Sequence, residues 1–545
     1  MPEKTNSPTN KDSGKREWLI HLGLLLLLAA ALRLISCFRT PLINPDAIAY
    51  ILQAKAFYLQ QTEQYFTAYP YPTNLALMIT GIYHVVADWV IAGQVISLFF
   101  SLLTIIPLYF LNRVFWPHRT AIAIVFLYAV SPVFVELGHK IIRGPQFWFF
   151  MVLGLWGFSR FLKMKKPPCY LLIITSMAFL MAAWSRIEGL LPLILGAGWL
   201  LFDSHNRKSR YLAAYFLPLL LILIFSGGLM TLSSHNSSTI NLLEVLSQGF
   251  SERLLAAINR FQSLRNALHN LESKPPFGVA PYFFDEARDL LWFLALGATN
   301  HSLIETFGIL FFPFTIFGLI KGRTSPPKTG STQRRSMIFL LLLILSGTTI
   351  IYIQILLNWY SSERFVALIY FPTLVFSGYG FNKLFSVWQN RPSNSKAVNY
   401  FGLCLIVLVF ALPSILKSSK GNRALPFKEV GLTLAKMHPE NREIKLCSTS
   451  KKVLFTHFYA HLNKNIVSPP WQHCTILNVS ELKLDSILAA NYDYLLLSDR
   501  DGGRQRWLEI MGEADFSVLL EKSNEKYGRI ALFGRRQKNH RKTEE

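Results

Sequence analysis

One carboxylate and a small set of cations stand where this sequence could do chemistry. Asp46 opens an amphipathic stretch that carries Tyr50, Ala54 and Phe57 on one helical face. A carboxylate in that place either takes a proton from a hydroxyl or caps the helix, and Pro45 before it fits a helix start equally well. Lys55, His139, Lys140, Arg143, Arg186 and Arg364 lie at the ends of apolar runs. Such side chains hold an anion or reach out to lipid headgroups. Glu188 stands two residues from Arg186 and either orients it or pairs with it structurally.

The rest of the chain must hold these residues at a boundary, and its composition says which. The chain has 545 residues, 51% of them hydrophobic and only 16% charged. Soluble domains carry about 25% charged residues, so a single soluble core is excluded. Disorder is excluded as well, because disordered chains are poor in aromatics and here Phe alone numbers 42. Several apolar runs approach the ~20 residues needed to cross a bilayer as helix. The formal net charge of +23 falls in short clusters between those runs, which sets topology and argues against nucleic-acid binding.

The N-terminal tail, residues 1–17, is polar and basic and precedes an apolar run from Trp18 to Phe38. Further runs fall at 89–111, 119–135, 145–162, 170–184, 189–202, 210–231, 302–320, 337–357, 365–382 and 398–416. That pattern predicts about eleven spans with the N-terminus inside. The stretch 170–202 could form one long helix, but basic clusters flank it on both sides and both belong in the cytoplasm. Only an even number of spans satisfies both, so the chain is expected to turn at Trp184–Gly189. The outer connections are then 39–88, 136–144, 185–188, 232–301 and 358–364. Arg33, inside the first span, is expected to snorkel to the outer boundary.

After residue 416 the character changes. Residues 417–536 alternate a helical segment (Phe427–Met437) with short apolar strands at Ile444–Cys447, Tyr494–Ser498, Phe516–Leu520 and Arg529–Phe533. This predicts a small extracytoplasmic α/β domain followed by a basic tail, 537–545. Cys447 and Cys474 would be free to form a disulfide in such a compartment. The expected fold class is therefore mostly α: a polytopic membrane helix bundle of about eleven spans with a small α/β C-terminal domain.

Several short motifs recur in a fixed order on the outer side. They are Pro45-Asp46-x-x-x-Tyr50-x-x-x-Ala54, Tyr69-Pro70-Tyr71-Pro72, Ser131-Pro132, Ser185-Arg186-Ile187-Glu188-Gly189, and Ser362-Glu363-Arg364-Phe365 with Pro372 beyond. Together they resemble the GT-C glycosyltransferases, in the branch of the protein O-mannosyltransferases and lipid A aminoarabinose transferases. The resemblance covers roughly residues 15–390.

The resemblance implies a polyprenyl-phosphate-linked sugar as donor, an acceptor hydroxyl outside the cytoplasm, and transfer by inverting displacement. It implies Asp46 as the general base. Arg364 and Arg186, then Arg143 and Lys140, become the candidates for the donor phosphate, because a guanidinium meets phosphate through two parallel bonds. Tyr50, Lys55, His139, Glu188, Glu363 and Asp285 are candidate substrate contacts. Two acidic positions found in many relatives are absent: Ala47 follows Asp46, and Gly144 precedes Pro145. Without those oxygen ligands no essential metal and no cofactor are expected. The expected partners are the bilayer, the lipid-linked sugar, and a lipid, glycan or protein acceptor; the expected location is a bacterial inner membrane. A flippase for lipid-linked sugar and a non-catalytic envelope scaffold are the rival readings.

Overall fold

The computed structural model describes residues 10–61, 73–202, 208–233, 242–308, 312–313, 316–318, 320, 331–359, 362–389, 409, 411–413, 424–476, 492–498, 516–524 and 528–535. Tyr69–Pro72, most of the run 398–416 and the tail 537–545 lie outside these residues. The chain forms two compact units, the first of residues 1–33, 97–138 and 143–416, the second of residues 34–96, 139–142 and 417–545.

The first unit is built from apolar helices whose breaks have local causes. The helix Asn10–Phe38 includes a leucine-rich stretch, Glu17–Phe38, long and apolar enough to cross a membrane. Trp89–Leu103 and Ile105–Phe115 form one long element interrupted at Thr104. There the Thr104 hydroxyl donates to the Phe100 carbonyl at 2.7 Å, and Pro107 supplies no N–H to the preceding turn. The run expected at 119–135 is not one straight helix. It bends by 60° between His118–Val130 and Pro132–Gly138, because Pro132 cannot donate and forces Ser131 out of helical geometry, to φ −60° and ψ 122°.

The turn inferred at Trp184–Gly189 is present. Cys169–Ser185 ends at Arg186, whose backbone is extended, and a short 3₁₀ turn, Ile187–Gly189, leads into Leu190–Phe202. A Cβ at Gly189 would lie 2.4 Å from the Ala183 backbone nitrogen, so only glycine lets the chain come back against the helix it has just left.

Among the described residues, five helices are long and apolar enough to cross a membrane: Glu17–Phe38, Trp89–Phe115, Lys208–Phe225, Gln333–Asn358 and Glu363–Lys383. The bent pair makes six. Asn74–Val86, Cys169–Ser185 and Ile187–Phe202 are shorter apolar helices. The described residues therefore give a multi-pass helical protein without reaching the expected count of eleven. One reason is local: the run expected to begin at 302 belongs to a helix that starts at Leu291 and stops at Phe307, where Gly308 takes φ +74°.

The helices pack through small residues meeting large ones. Gly154 and Gly157 of Gly144–Lys163 lie against Phe179 and Thr175 of Cys169–Ser185, and any Cβ there would fall 2.4 Å from each. Buried rings fill the centre, with Phe134 4.4 Å from Tyr370 and 4.8 Å from Trp148, and Phe158 4.5 Å from Phe339. Lys208–Phe225 instead exposes Leu220, Leu221, Leu223, Ile224 and Phe225, the surface expected of a lipid-facing helix.

The second unit contains a five-stranded sheet of order β2-β1-β3-β5-β4. Its strands are β1 (Leu446–Ser448), β2 (Cys474–Ile476), β3 (Tyr494–Ser498), β4 (Phe516–Asn524) and β5 (Gly528–Arg535). β1 runs parallel to β2 and β3, and β5 antiparallel to β3 and β4. The helices Leu425–Met437 and Val453–His461 accompany it. Cys447 and Cys474 are free and buried, so the disulfide considered from the sequence is not formed. The register pairs Cys474 with Leu446, and strand alternation then directs the two cysteines to opposite faces. Burial pushes the Cys447 thiol up to about 12, which keeps it inert.

Candidate functional site

In the second unit, Asp46 occupies the first turn of the helix Pro45–Tyr58, with Asn44 as the cap residue and Pro45 ahead of it. Asp46 is thus not the cap that its position in the sequence also allowed. It is half-buried, while Tyr50, one turn on, is buried. The chain that delivers Asp46 is pinned at each step. Lys428 donates to the Pro41 carbonyl at 2.7 Å, the Ile43 amide donates to the Tyr459 hydroxyl at 3.4 Å, and the Asn44 amide group donates to the Ile141 carbonyl at 3.2 Å. Farther along the helix, Thr80 donates to the Ala54 carbonyl at 3.0 Å. A small cleft beside this segment is lined by Thr40, Asn44, Gln94, His139 and Lys140, among others. His139 is buried and meets the Ser36 hydroxyl at 3.0 Å.

Lys55 is turned into the protein. Its ammonium is buried and donates to four backbone carbonyls: His461 at 3.1 Å, Leu462 at 3.2 Å, Lys464 at 2.8 Å and Ile466 at 3.0 Å. Two of these belong to the end of the helix Val453–His461, where the dipole favours a cation, and the His461 carbonyl also accepts from the Lys464 amide at 3.2 Å. Burial pulls the Lys55 pKa down, to about 7, and the four carbonyl dipoles oppose that pull.

In the first unit, the turn after Cys169–Ser185 places Arg186 and Glu188 in a two-bond ion pair, Nη2 to Oε1 at 2.6 Å and Nε to Oε2 at 3.3 Å. The guanidinium carbon also stands 4.9 Å from the Phe365 ring centre and 5.9 Å from that of Phe147, a cation–π arrangement. Burial alone would raise the Glu188 pKa; the charges of Arg186 and Arg143 outweigh it and hold the carboxylate below its ordinary value. Arg364 and Glu363 begin the helix Glu363–Gln389 and are half-buried, with Arg364 Nε donating to the Ser362 hydroxyl at 3.2 Å. Arg143, Arg186, Glu188 and Phe365, from three separate stretches of sequence, thus form one cluster. Asp285 is bound by Arg288, which also reaches Glu272 at 3.2 Å. Arg288, held by Asp285 on its own helix, thus joins the helices Leu242–Ser273 and Pro281–Asp289 through Glu272.

Arg33 departs from expectation most clearly. It does not snorkel but is fully buried. Nε donates to the Ser101 hydroxyl at 2.7 Å, and Nη1 to the carbonyls of Ala29 at 3.2 Å and Ala129 at 3.1 Å. The Ala129 carbonyl lies in the last turn before the Pro132 bend, which leaves it without a helical partner. The guanidinium also lies over the Tyr128 ring at 5.1 Å.

No protein-family model matches this chain, and no curated protein does. Solved structures do. The chain is similar to the Archaeoglobus fulgidus oligosaccharyltransferase tethered to an acceptor peptide containing the NVT sequon, at 13% identity and a TM-score of 0.54, over 95% of this chain and 74% of that one. It is also similar to the A. fulgidus oligosaccharyltransferase AglB in complex with an inhibitory peptide and a dolichol-phosphate, at 14% identity and a TM-score of 0.50, over 89% and 70%. The mycobacterial arabinofuranosyltransferase AftD aligns at 11% identity and a TM-score of 0.52, over 95% of this chain but only 41% of AftD. At such identities the likeness is one of architecture, and that architecture is the GT-C glycosyltransferase fold.

Proposed function

We propose that this chain is an integral-membrane glycosyltransferase that moves a sugar from a polyprenyl-phosphate donor to a hydroxyl outside the cytoplasm, by inverting displacement. The observation that carries the reading is the similarity, along nearly the whole chain, to an oligosaccharyltransferase whose structure holds a dolichol-phosphate. Within that frame Asp46 takes the proton of the acceptor hydroxyl as the phosphate leaves from the opposite face of the sugar. The departing phosphate gains charge, and cations held in place beforehand stabilise it without reorganising. Arg186 suits this role, because Glu188 and two rings already fix its plane; Arg364, Arg143 and Lys140 are the further candidates. No metal and no cofactor are part of the proposal. Tyr50, His139 and Glu363 remain candidates for substrate contact, whereas Lys55 and Asp285 are engaged by the protein itself. Arg33, the charge within a span that a flippase would use, is likewise spent on Ser101 and two carbonyls.

The test is glycan and lipid mass spectrometry on membranes from a deletion strain of the source organism, complemented with wild type or Asp46→Asn at equal level. A sugar-sized mass lost from one acceptor and restored by wild type alone supports transfer and names the acceptor. Full restoration by Asp46→Asn removes the catalytic assignment and favours the flippase or scaffold.

A further inference from the structure

Resting on that reading, we infer that Lys55 is a positioning residue: its ammonium ties the helix that carries Asp46 to the α/β domain. Lys55 and Asp46 share the helix Pro45–Tyr58, with Asp46 in its first turn and Lys55 in its last. A helix held at one end only is free to tilt about that end. Here Tyr459 and Lys428 hold the approach to Asp46, and the carbonyls of His461, Leu462, Lys464 and Ile466 hold the far end through Lys55. Ala56, beside Lys55, packs on Val467, with Leu59 against both. All these partners except Leu59 come from residues 428–467, so the domain after the helix bundle braces the segment that presents the base.

The choice of residue also points this way. An apolar side chain would fill the same space and take the lysine donor away from the Leu462, Lys464 and Ile466 carbonyls, while His461 would keep only the Lys464 amide, a substantial cost for groups held away from water. A lysine reaches all four from a single flexible stem and fixes the helix against the Val453–His461 end. A general base must sit within hydrogen-bond reach of its proton, so a small rotation of this helix is enough to slow transfer.

The experiment uses full-length protein in membranes of the deletion strain and reads two quantities. One is amide exchange across residues 46–58; the other is the sugar-modified acceptor measured by mass spectrometry. Lys55→Met is expected to speed exchange in 46–58 at least tenfold and to lower the modified acceptor at least tenfold, with exchange in Glu363–Lys383 unchanged. Adding Ala56→Cys and Val467→Cys to Lys55→Met supplies a covalent tie in place of the ammonium. Oxidation of that triple variant is expected to restore both readouts, and dithiothreitol to remove them again on the same folded protein. Exchange in 46–58 that Lys55→Met leaves at the wild-type rate overturns the proposal. So does an oxidised triple variant that regains protection but not transfer, since Lys55 would then act otherwise than by holding Asp46. Should Asp46→Asn transfer like wild type, the glycosyltransferase reading fails by itself, and the exchange arm still decides whether Lys55 braces the helix.

Discussion

Arg186 and Glu188, two residues apart, hold each other through hydrogen bonds of 2.6 and 3.3 Å while the guanidinium lies over Phe365. Both side chains are largely buried, at 12% and 13% exposure. Neutralising one partner leaves the other charge poorly compensated. Glu188→Gln is expected to cost about 1–3 kcal/mol of stability and, on the proposed function, to weaken binding of a polyprenyl phosphate about tenfold, roughly 1.4 kcal/mol. Thermal unfolding and a lipid-phosphate titration in detergent check the two effects separately. Arg186→Lys tests the same pair from the other side, since lysine cannot supply the paired N–H geometry.

Asp46→Asn should behave differently. The residue is half-buried in a first helical turn, where a negative charge contributes about 0.3–1 kcal/mol through the helix dipole. Stability should therefore fall by no more than about that amount. Transfer should drop by about two to four orders of magnitude, the usual worth of a positioned base. A melting temperature and an acceptor mass spectrum from one preparation separate the two effects.

Arg33 and Gly138 belong to one packing arrangement. A Cβ on Gly138 would lie 2.5 Å from the Ser101 hydroxyl and 2.9 Å from Arg33 Nε, so Gly138→Ala must displace that hydrogen bond. Both Gly138→Ala and Arg33→Ala are expected to destabilise the helix bundle, the latter by about 3–5 kcal/mol because it opens a cavity and strips a bent helix end of its donor. The double variant should cost clearly less than the two costs combined, the signature of a shared interaction. Additive losses in denaturant or thermal unfolding would separate the two sites.

Acid should loosen the α/β domain. His457 is buried, its ring 4.2 Å from His461 and 5.7 Å from His473, and Lys464 adds a further positive charge. Lys55 faces His461 from the helix Pro45–Tyr58, and Glu443 stands 3.5 Å from His473. Burial first, then these neighbouring cations, hold His457 well below 6.5, and burial lowers His461 as well. Because the folded form binds the proton less readily than the unfolded one, stability is complete above the ordinary histidine value and declines as pH falls below it. Exchange in β1 and β3 at pH 7.5 and pH 5 should show the decline, and His457→Phe should reduce it.

The sequence disclosed those features that depend on neighbours along the chain. Tyr494–Ser498 was readable as a strand from its apolar run, and the turn at Arg186 from the parity of basic clusters around 170–202. What it hid depends on partners far away in the chain. The acceptors of Lys55 lie some 400 residues beyond it, so nothing near Lys55 marks it as a brace. Arg33 looked like a residue that reaches for headgroups, because only the bend at Pro132 frees the Ala129 carbonyl that claims it. β1 and β2 are equally short, but β1 is buried throughout and lies in an apolar run, whereas β2 has Thr475 at its centre and an exposed last residue, which left no strand pattern. In the candidate site, Arg186 and Glu188 were legible as a pair, whereas Phe365 and Arg143 joined them only through folding.

The arrangement around Lys55 has an arithmetic of its own. An ammonium carries three hydrogens, and four oxygens wait for them within 3.2 Å. At any instant one acceptor must share or do without a lysine hydrogen, least costly for the His461 carbonyl, which also takes the Lys464 amide at 3.2 Å, and the group can redistribute its hydrogens by turning about its last bond. A joint of this kind behaves like a ball in a socket. If any one carbonyl shifts by a few tenths of an ångström another can take up its share, so the helix bearing Asp46 keeps its tie to residues 461–466.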